Sequence, residues 1–170
     1  MKLRTVVLPL FLVAAAGHAQ LGVYAGFSTA TLKTANTARL NGGTVGLYYD
    51  GSRHILVNFG ADVRATFLPE KNYTSITAVT AGPRLAVHLP VIPLRPYGEL
   101  LVGGAHARTG QGATFQDRTG FAGGVAVGAD LRILPFVDWR VLEYSYTRVQ
   151  AVPTYQQTLT TGIVIRVPFL

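Results

Sequence analysis

Between Ile55 and Phe67 every second residue is apolar: Ile55, Val57, Phe59, Ala61, Val63, Ala65 and Phe67 alternate with Leu56, Asn58, Gly60, Asp62, Arg64 and Thr66. A period of two belongs to a β-strand with unlike faces, and no helix produces it. At a rise of about 3.3 Å per residue the segment is long enough to cross a bilayer, even when tilted. The pattern recurs in Val79–Leu89, Phe121–Ile133 and Leu159–Phe169, and in weaker form in Leu21–Phe27, Gly43–Tyr49, Leu94–Gly104 and Leu142–Tyr146. This predicts about eight strands, enough to close a small barrel.

The connections alternate. Long polar stretches lie near 30–41, 68–74, 107–119 and 148–157. Short ones lie at 50–53, which opens with the hairpin signal Asp50-Gly51, at 90–93 and at 134–137. Long and short connections taking turns predict an up-and-down antiparallel barrel with long loops at one end and tight turns at the other. Pro83 falls inside a strand and would remove a ladder hydrogen bond, so a bulge is expected there.

Composition assigns the two faces. Hydrophobic residues make up 49% and charged residues 14%, against about 25% charged in an ordinary soluble domain. The polar face is mostly Gly, Ala, Thr and Ser, with single charges of both signs: Asp62, Glu99, Asp130 and Glu143 against Arg64, Arg84, Arg95, Arg132 and Arg166. Such a face suits a narrow interior, where charges persist only when paired. The apolar face then meets lipid, with Val63, Val87, Val127 and Ile163 expected mid-membrane. Phe27, Phe67, Phe121, Tyr144 and Tyr146 fall near the loop ends, and Tyr49, Trp139 and Phe169 near the turn ends. There they would form two interfacial girdles. The predicted fold is an all-β, closed, up-and-down antiparallel transmembrane barrel.

The N-terminus adds an export signal. Lys2 and Arg4 precede an apolar run from Val6 to Ala16, followed by Gly17-His18-Ala19. This is the pattern of a signal peptide spanning 1–19, with 20–170 as the barrel domain. The run is shorter than the roughly 20 residues of a membrane helix. The chain has no cysteine, so neither a disulfide framework nor a thiolate metal site is available. The net charge of +7 comes from scattered arginines without a basic run, which argues against nucleic acid.

These features resemble the small eight-stranded outer-membrane barrels of OmpA/OmpX type. The ending Ile163-Val164-Ile165-Arg166-Val167-Pro168-Phe169 is similar to the terminal strand of that group, although Leu170 follows the aromatic. Val141-Leu142-Glu143-Tyr144 resembles its penultimate strand, and the resemblance implies that Glu143 points inward to an arginine. Some barrels of this shape are lipid A-modifying enzymes of a deacylase type, which need a His and a Ser two residues apart. None of His54, His88 or His106 has a serine two residues after it, where Leu56, Pro90 and Arg108 stand.

The functional expectation is a non-enzymatic outer-membrane protein with a structural, surface-interaction or adhesion role and a side-chain-filled lumen. A small porin-like channel for polar solutes is the alternative, and a lipid A-modifying enzyme comes third. Asp62, Arg64, Arg84, Glu99, Asp130, Arg132 and Glu143 are expected to form an interior ion-pair network, with Arg84 and Arg132 beside Glu143. No cofactor is expected. The expected partners are outer-membrane lipids, lipopolysaccharide and the barrel-assembly machinery, with the protein itself a monomer.

Overall fold

The structure, a computed structural model, describes residues 20–32, 38–51, 56–71, 74–89, 91–111, 114–151 and 154–168. The expected leader, His54 and Phe169 lie outside the described residues. Eight strands follow one another: β1 (Gln20–Leu32), β2 (Ala38–Asp50), β3 (Val57–Lys71), β4 (Thr74–Val87), β5 (Leu94–Gln111), β6 (Thr114–Leu134), β7 (Val137–Val149) and β8 (Thr154–Pro168). Each pairs antiparallel with the next, and β1 also pairs with β8, from Gln20↔Pro168 to Leu32↔Gln156. The sheet is therefore a closed barrel in sequence order. Closure leaves no open edge along the wall, a requirement in hydrocarbon, where each unpaired amide costs several kcal/mol.

The dyad pattern is realised with its apolar side outward. Phe59 is 64% exposed, Val127 55%, Ile163 47% and Val63 44%. Val87 is on the same face, but as the last residue of β4, so it sits at the turn end and not at mid-strand.

Three sequence expectations need correction. First, most of the four long connections are strand. The β5–β6 ladder continues to Gln111↔Thr114, and β3 and β4 pair up to Lys71↔Thr74. Polarity predicts irregular loops there, but beyond the outer apolar band the outward face of a paired strand is mostly polar as well, while its inward face carries buried residues such as Leu32, Leu40 and Leu68. Second, Pro83 makes no bulge. It faces Ala61 in an unshifted β3–β4 register. On the other side the β4–β5 pairing skips Gly82 and Pro83 between Ala81↔Val102 and Arg84↔Glu99, and resumes in the same register.

Third, bulges do occur, in β6 and β7. The β6–β7 register shifts between Ala129 and Asp130 and again between Arg132 and Leu134, and the β7–β8 register shifts between Arg140 and Glu143. An extra residue in one strand reverses its alternation. In β7 the inward set is therefore Asp138 and Arg140 on one side of the bulge and Glu143 on the other. The β6–β7 connection is a two-residue turn of Pro135 and Phe136, closed by Leu134↔Val137.

Candidate functional site

The inward residues form layers along the barrel axis. At the turn end, near the ends of their strands, lie Asp50, Arg95, Asp138 and Arg166, all buried. Arg95 Nη2 is 2.8 Å from Asp50 Oδ2, and Arg166 Nη2 is 2.8 Å from Asp138 Oδ1. Asp50 also lies 3.5 Å from Arg84 Nε, which joins this pair of ion pairs to the next layer.

That layer is a closed ring of alternating charge. Arg64 bridges Glu99 and Glu143, the latter at 2.5 Å. Arg84 bridges Glu99 at 2.6 Å and Asp130 at 3.1 Å. Arg140 bridges Asp130 at 3.0 Å and Glu143 at 3.0 Å. Each carboxylate receives two guanidinium groups, and each guanidinium spans two carboxylates. Asp62 hangs from the ring on Arg64 Nε at 2.7 Å. The members come from β3 to β7. The far wall, β1 and β2, supplies Tyr24 and Tyr48, and β5 adds Tyr97.

The tyrosines complete the layer. Tyr24 Oη donates to Asp62 Oδ2 at 2.8 Å, and Tyr97 Oη donates to Glu143 Oε2 at 2.7 Å. The Arg84 guanidinium lies 4.1 Å from the Tyr48 ring centre and 3.8 Å from that of Tyr97, and Arg140 lies 3.9 Å from that of Tyr24. Guanidinium groups are planar and weakly hydrated, so they suit this stacked, dry setting better than ammonium groups. The local sequence makes room for the rings: Gly22 faces Tyr48 and Gly46 faces Tyr24 across the β1–β2 ladder. A Cβ on Gly22 would lie 2.2 Å from the Tyr48 ring.

Next is a belt of hydroxyls. Ser28 Oγ shares hydrogen bonds with Thr44 Oγ1 at 2.7 Å and Thr160 Oγ1 at 2.9 Å, and Thr44 continues to Thr66 at 3.1 Å. A cavity of about 20 Å³ lies among these residues, Arg64 and Glu143, space for about one water molecule. Beyond the belt, at the loop end, the lumen is apolar: Leu32, Leu40, Leu68, Ile76 and Val149 are buried against Ala30, Ala105, Ala107 and Ala122.

Of the residues named from sequence, Asp62, Arg64, Arg84, Glu99, Asp130 and Glu143 meet in this cluster. Arg132 does not. It is exposed, facing Asp138 at the turn-side mouth. The place expected of it beside Glu143 is taken by Arg140, brought inward by the β7 bulge. Glu143 pairs with Arg64 and Arg140, and Arg84 reaches Glu99 and Asp130 instead. Tyr24, Tyr97, Asp50 and Asp138 were not singled out. Tyr97 could have been found by parity, since it lies between the inward Arg95 and Glu99. Of the aromatics, Phe27, Phe67, Phe121, Trp139 and Tyr144 have exposed side chains on the outer face, and Tyr49 and Tyr146 are half-buried there. His106 is half-exposed near the loop end, 3.1 Å from Thr119 Oγ1.

No protein-family model matches the chain, and no curated protein sequence does. Solved structures do match. Neisserial surface protein A (NspA) superposes with a TM-score of 0.58 at 18% identity, over 89% of this chain and 97% of that one. Ail, the attachment invasion locus protein of Yersinia pestis, gives 0.61 at 16% identity, over 88% and 99%. The same protein is also known in complex with the heparin analogue sucrose octasulfate. The outer membrane protein OprG from Pseudomonas aeruginosa gives 0.53 at 11% identity, over 89% and 97%. At these identities the likeness is one of fold. With its closed ring of eight strands and its length matching theirs, the chain has the architecture of the small eight-stranded outer-membrane barrels.

Proposed function

We propose that this chain is a non-enzymatic outer-membrane surface protein: a monomeric, side-chain-filled barrel that anchors its loop-end hairpins for interaction with surface partners. The filled lumen carries this reading. Ion pairs close it at the level of Glu143, and leucines, isoleucine and valine close it again at the loop end. A continuous water path would have to pass a charged layer and an apolar one. In this reading residues 1–19 direct export and are removed, and the assembly machinery inserts the barrel. The exposed aromatics then sit at the two lipid interfaces, where amphipathic rings are favoured. The attachment role in the name of Ail supports a surface-interaction function. Neither NspA nor Ail is named as an enzyme.

Planar-bilayer recording on the refolded protein tests the proposal. We expect a heat-modifiable band on gels, protease-accessible hairpins on intact cells, and no defined conductance steps. Stable single-channel steps would overturn it in favour of the small channel for polar solutes.

A further inference from the structure

Cross-strand pairing puts Phe59, Leu85, Gly98 and Val127 in one row on the outer face of β3 to β6. Gly98 is the one member without a side chain. Beside it the ring of Pro83 turns back onto its own backbone, so the wall dips there. The result is a groove of about 420 Å³, floored by Gly98 and Pro83 and walled by Phe59, Leu85, Leu100 and Val127. Arg84 and Glu99 flank it in sequence, but their side chains are buried on the lumen side, where they pair at 2.6 Å. The groove surface is therefore apolar and continuous with the outer apolar band.

The row climbs along the barrel axis. Phe59 is two residues from the turn end of β3, Gly98 four from that of β5 and Val127 seven from that of β6. Strands tilted by about 35–45° produce this, because a line drawn across them rises through the membrane. The groove thus begins near the turn-side interface at Phe59 and ends at the level of Val127, in the middle of β6. Its depth is that of one leaflet.

Resting on the outer-membrane reading above, we infer that this groove is a binding site for one acyl chain of a phospholipid in the periplasmic leaflet. Short turns face the periplasm in barrels of this kind, so a chain that enters beside Phe59 comes from that leaflet. Its methyl end reaches Leu100 and Val127. Lipid tails are as apolar as leucine, so hydrophobicity does not select the occupant. Shape does. A chain lying between Phe59, Leu85 and Leu100 is touched on several sides, whereas the protruding wall elsewhere touches it on one, and each added carbon contact is attractive. The headgroup takes no part, since no charged side chain enters the groove.

The test uses the refolded full barrel in phospholipid nanodiscs doped with phosphatidylethanolamine or phosphatidylglycerol that carries a diazirine in one acyl chain, close to the ester or close to the methyl end. Light fixes the contacts, and mass spectrometry of the peptides maps them. Labelling of the groove should exceed that of the equally apolar opposite wall at Val23 and Ile163 roughly fivefold, the order that about ten extra carbon contacts would give. The probe near the ester should mark Phe59 and Leu85, and the one near the methyl end Leu100 and Val127. Gly98→Leu should remove the excess by filling the groove. A Cβ there meets only Ala126 O at 4.0 Å, so the barrel tolerates the change. Gly104→Leu, an equally open outward site on the same strand with Gly120 O at 3.9 Å, should leave the excess intact. Even labelling around the barrel, a full excess in Gly98→Leu, or equal loss in Gly104→Leu would overturn the inference. The reverse order of the two probes would mean a chain descending from the outer leaflet, and labelling by one headgroup alone a headgroup site. Either result overturns it as well, as does a dimer in native mass spectrometry that Gly98→Leu dissociates, which would give the groove to a second copy. Failure of the wild-type chain to enter nanodiscs at all would instead sink the outer-membrane reading beneath it.

Discussion

Tyr97 stands directly across the β5–β6 ladder from Gly128, and its hydroxyl lies 2.5 Å from where a Cβ on Gly128 would be. The same hydroxyl holds Glu143 Oε2 at 2.7 Å. One missing methyl group thus seats a tyrosine that orients a member of the charged ring. Gly128→Ala is expected to push Tyr97 off Glu143 and to cost about 1–3 kcal/mol, the usual range for overpacking. Gly98→Ala, where a Cβ meets only Ala126 O at 4.0 Å, should cost far less. Urea unfolding in lipid vesicles compares the two, and equal midpoints would mean that Tyr97 has room to move.

Glu143 accepts from Arg64, Arg140 and Tyr97 in a buried site. Removing one side of such a cluster leaves two guanidinium groups short of a counter-charge, which typically costs about 3–5 kcal/mol. Glu143→Ala should lower barrel stability by that order. Asp117→Ala, at a side chain 59% exposed, should change it by no more than about 0.5 kcal/mol. The comparison is again an unfolding titration, and a silent Glu143→Ala would show that solvent reaches the ring.

Conductance separates the two closures. With Leu40, Leu68 and Ile76 still packed at the loop end, Glu143→Ala alone should pass no current. Adding Leu40→Ser and Ile76→Ser should give measurable single-channel steps. Current through Glu143→Ala by itself would mean that the apolar cluster does not seal.

Val127 is 55% exposed in the middle of β6. Val127→Arg should cost about 2–4 kcal/mol on refolding into a bilayer. The same change at Val91, 91% exposed in the β4–β5 connection, should cost almost nothing. Similar penalties at both sites would place Val127 outside the hydrocarbon.

The wall was legible from the sequence because alternation reports the face directly. Val57–Phe67 and Phe121–Ala129 needed no tertiary information. What failed to show had two physical sources. Leu32, Leu40 and Leu68 lie in polar stretches that read as loops, and Ile76 falls between one of them and the next alternating segment, so alternation assigns them no face and does not show the apolar end of the lumen. Arg140 is hidden by the β7 bulge, whereas Arg132 keeps its inward register opposite Asp138 but lies at the exposed turn-side mouth. A single inserted residue in β7 turns Arg140 inward while keeping Glu143 there, and parity carried across Val141 and Leu142 gives the wrong answer for one of them. Tyr24 and Tyr97 were on the correct face but carry no charge, and nothing in the alternation marks a phenol as part of an ionic cluster.

The ring of three arginines and three carboxylates has no end. Cutting any one link leaves an open chain in which every member still holds at least one opposite charge, and the apolar cluster beyond it is untouched. Closure is therefore redundant twice over, within one layer and between layers of unlike chemistry. A lineage carrying this barrel could drift through many single lumen substitutions without acquiring a hole in its outer membrane.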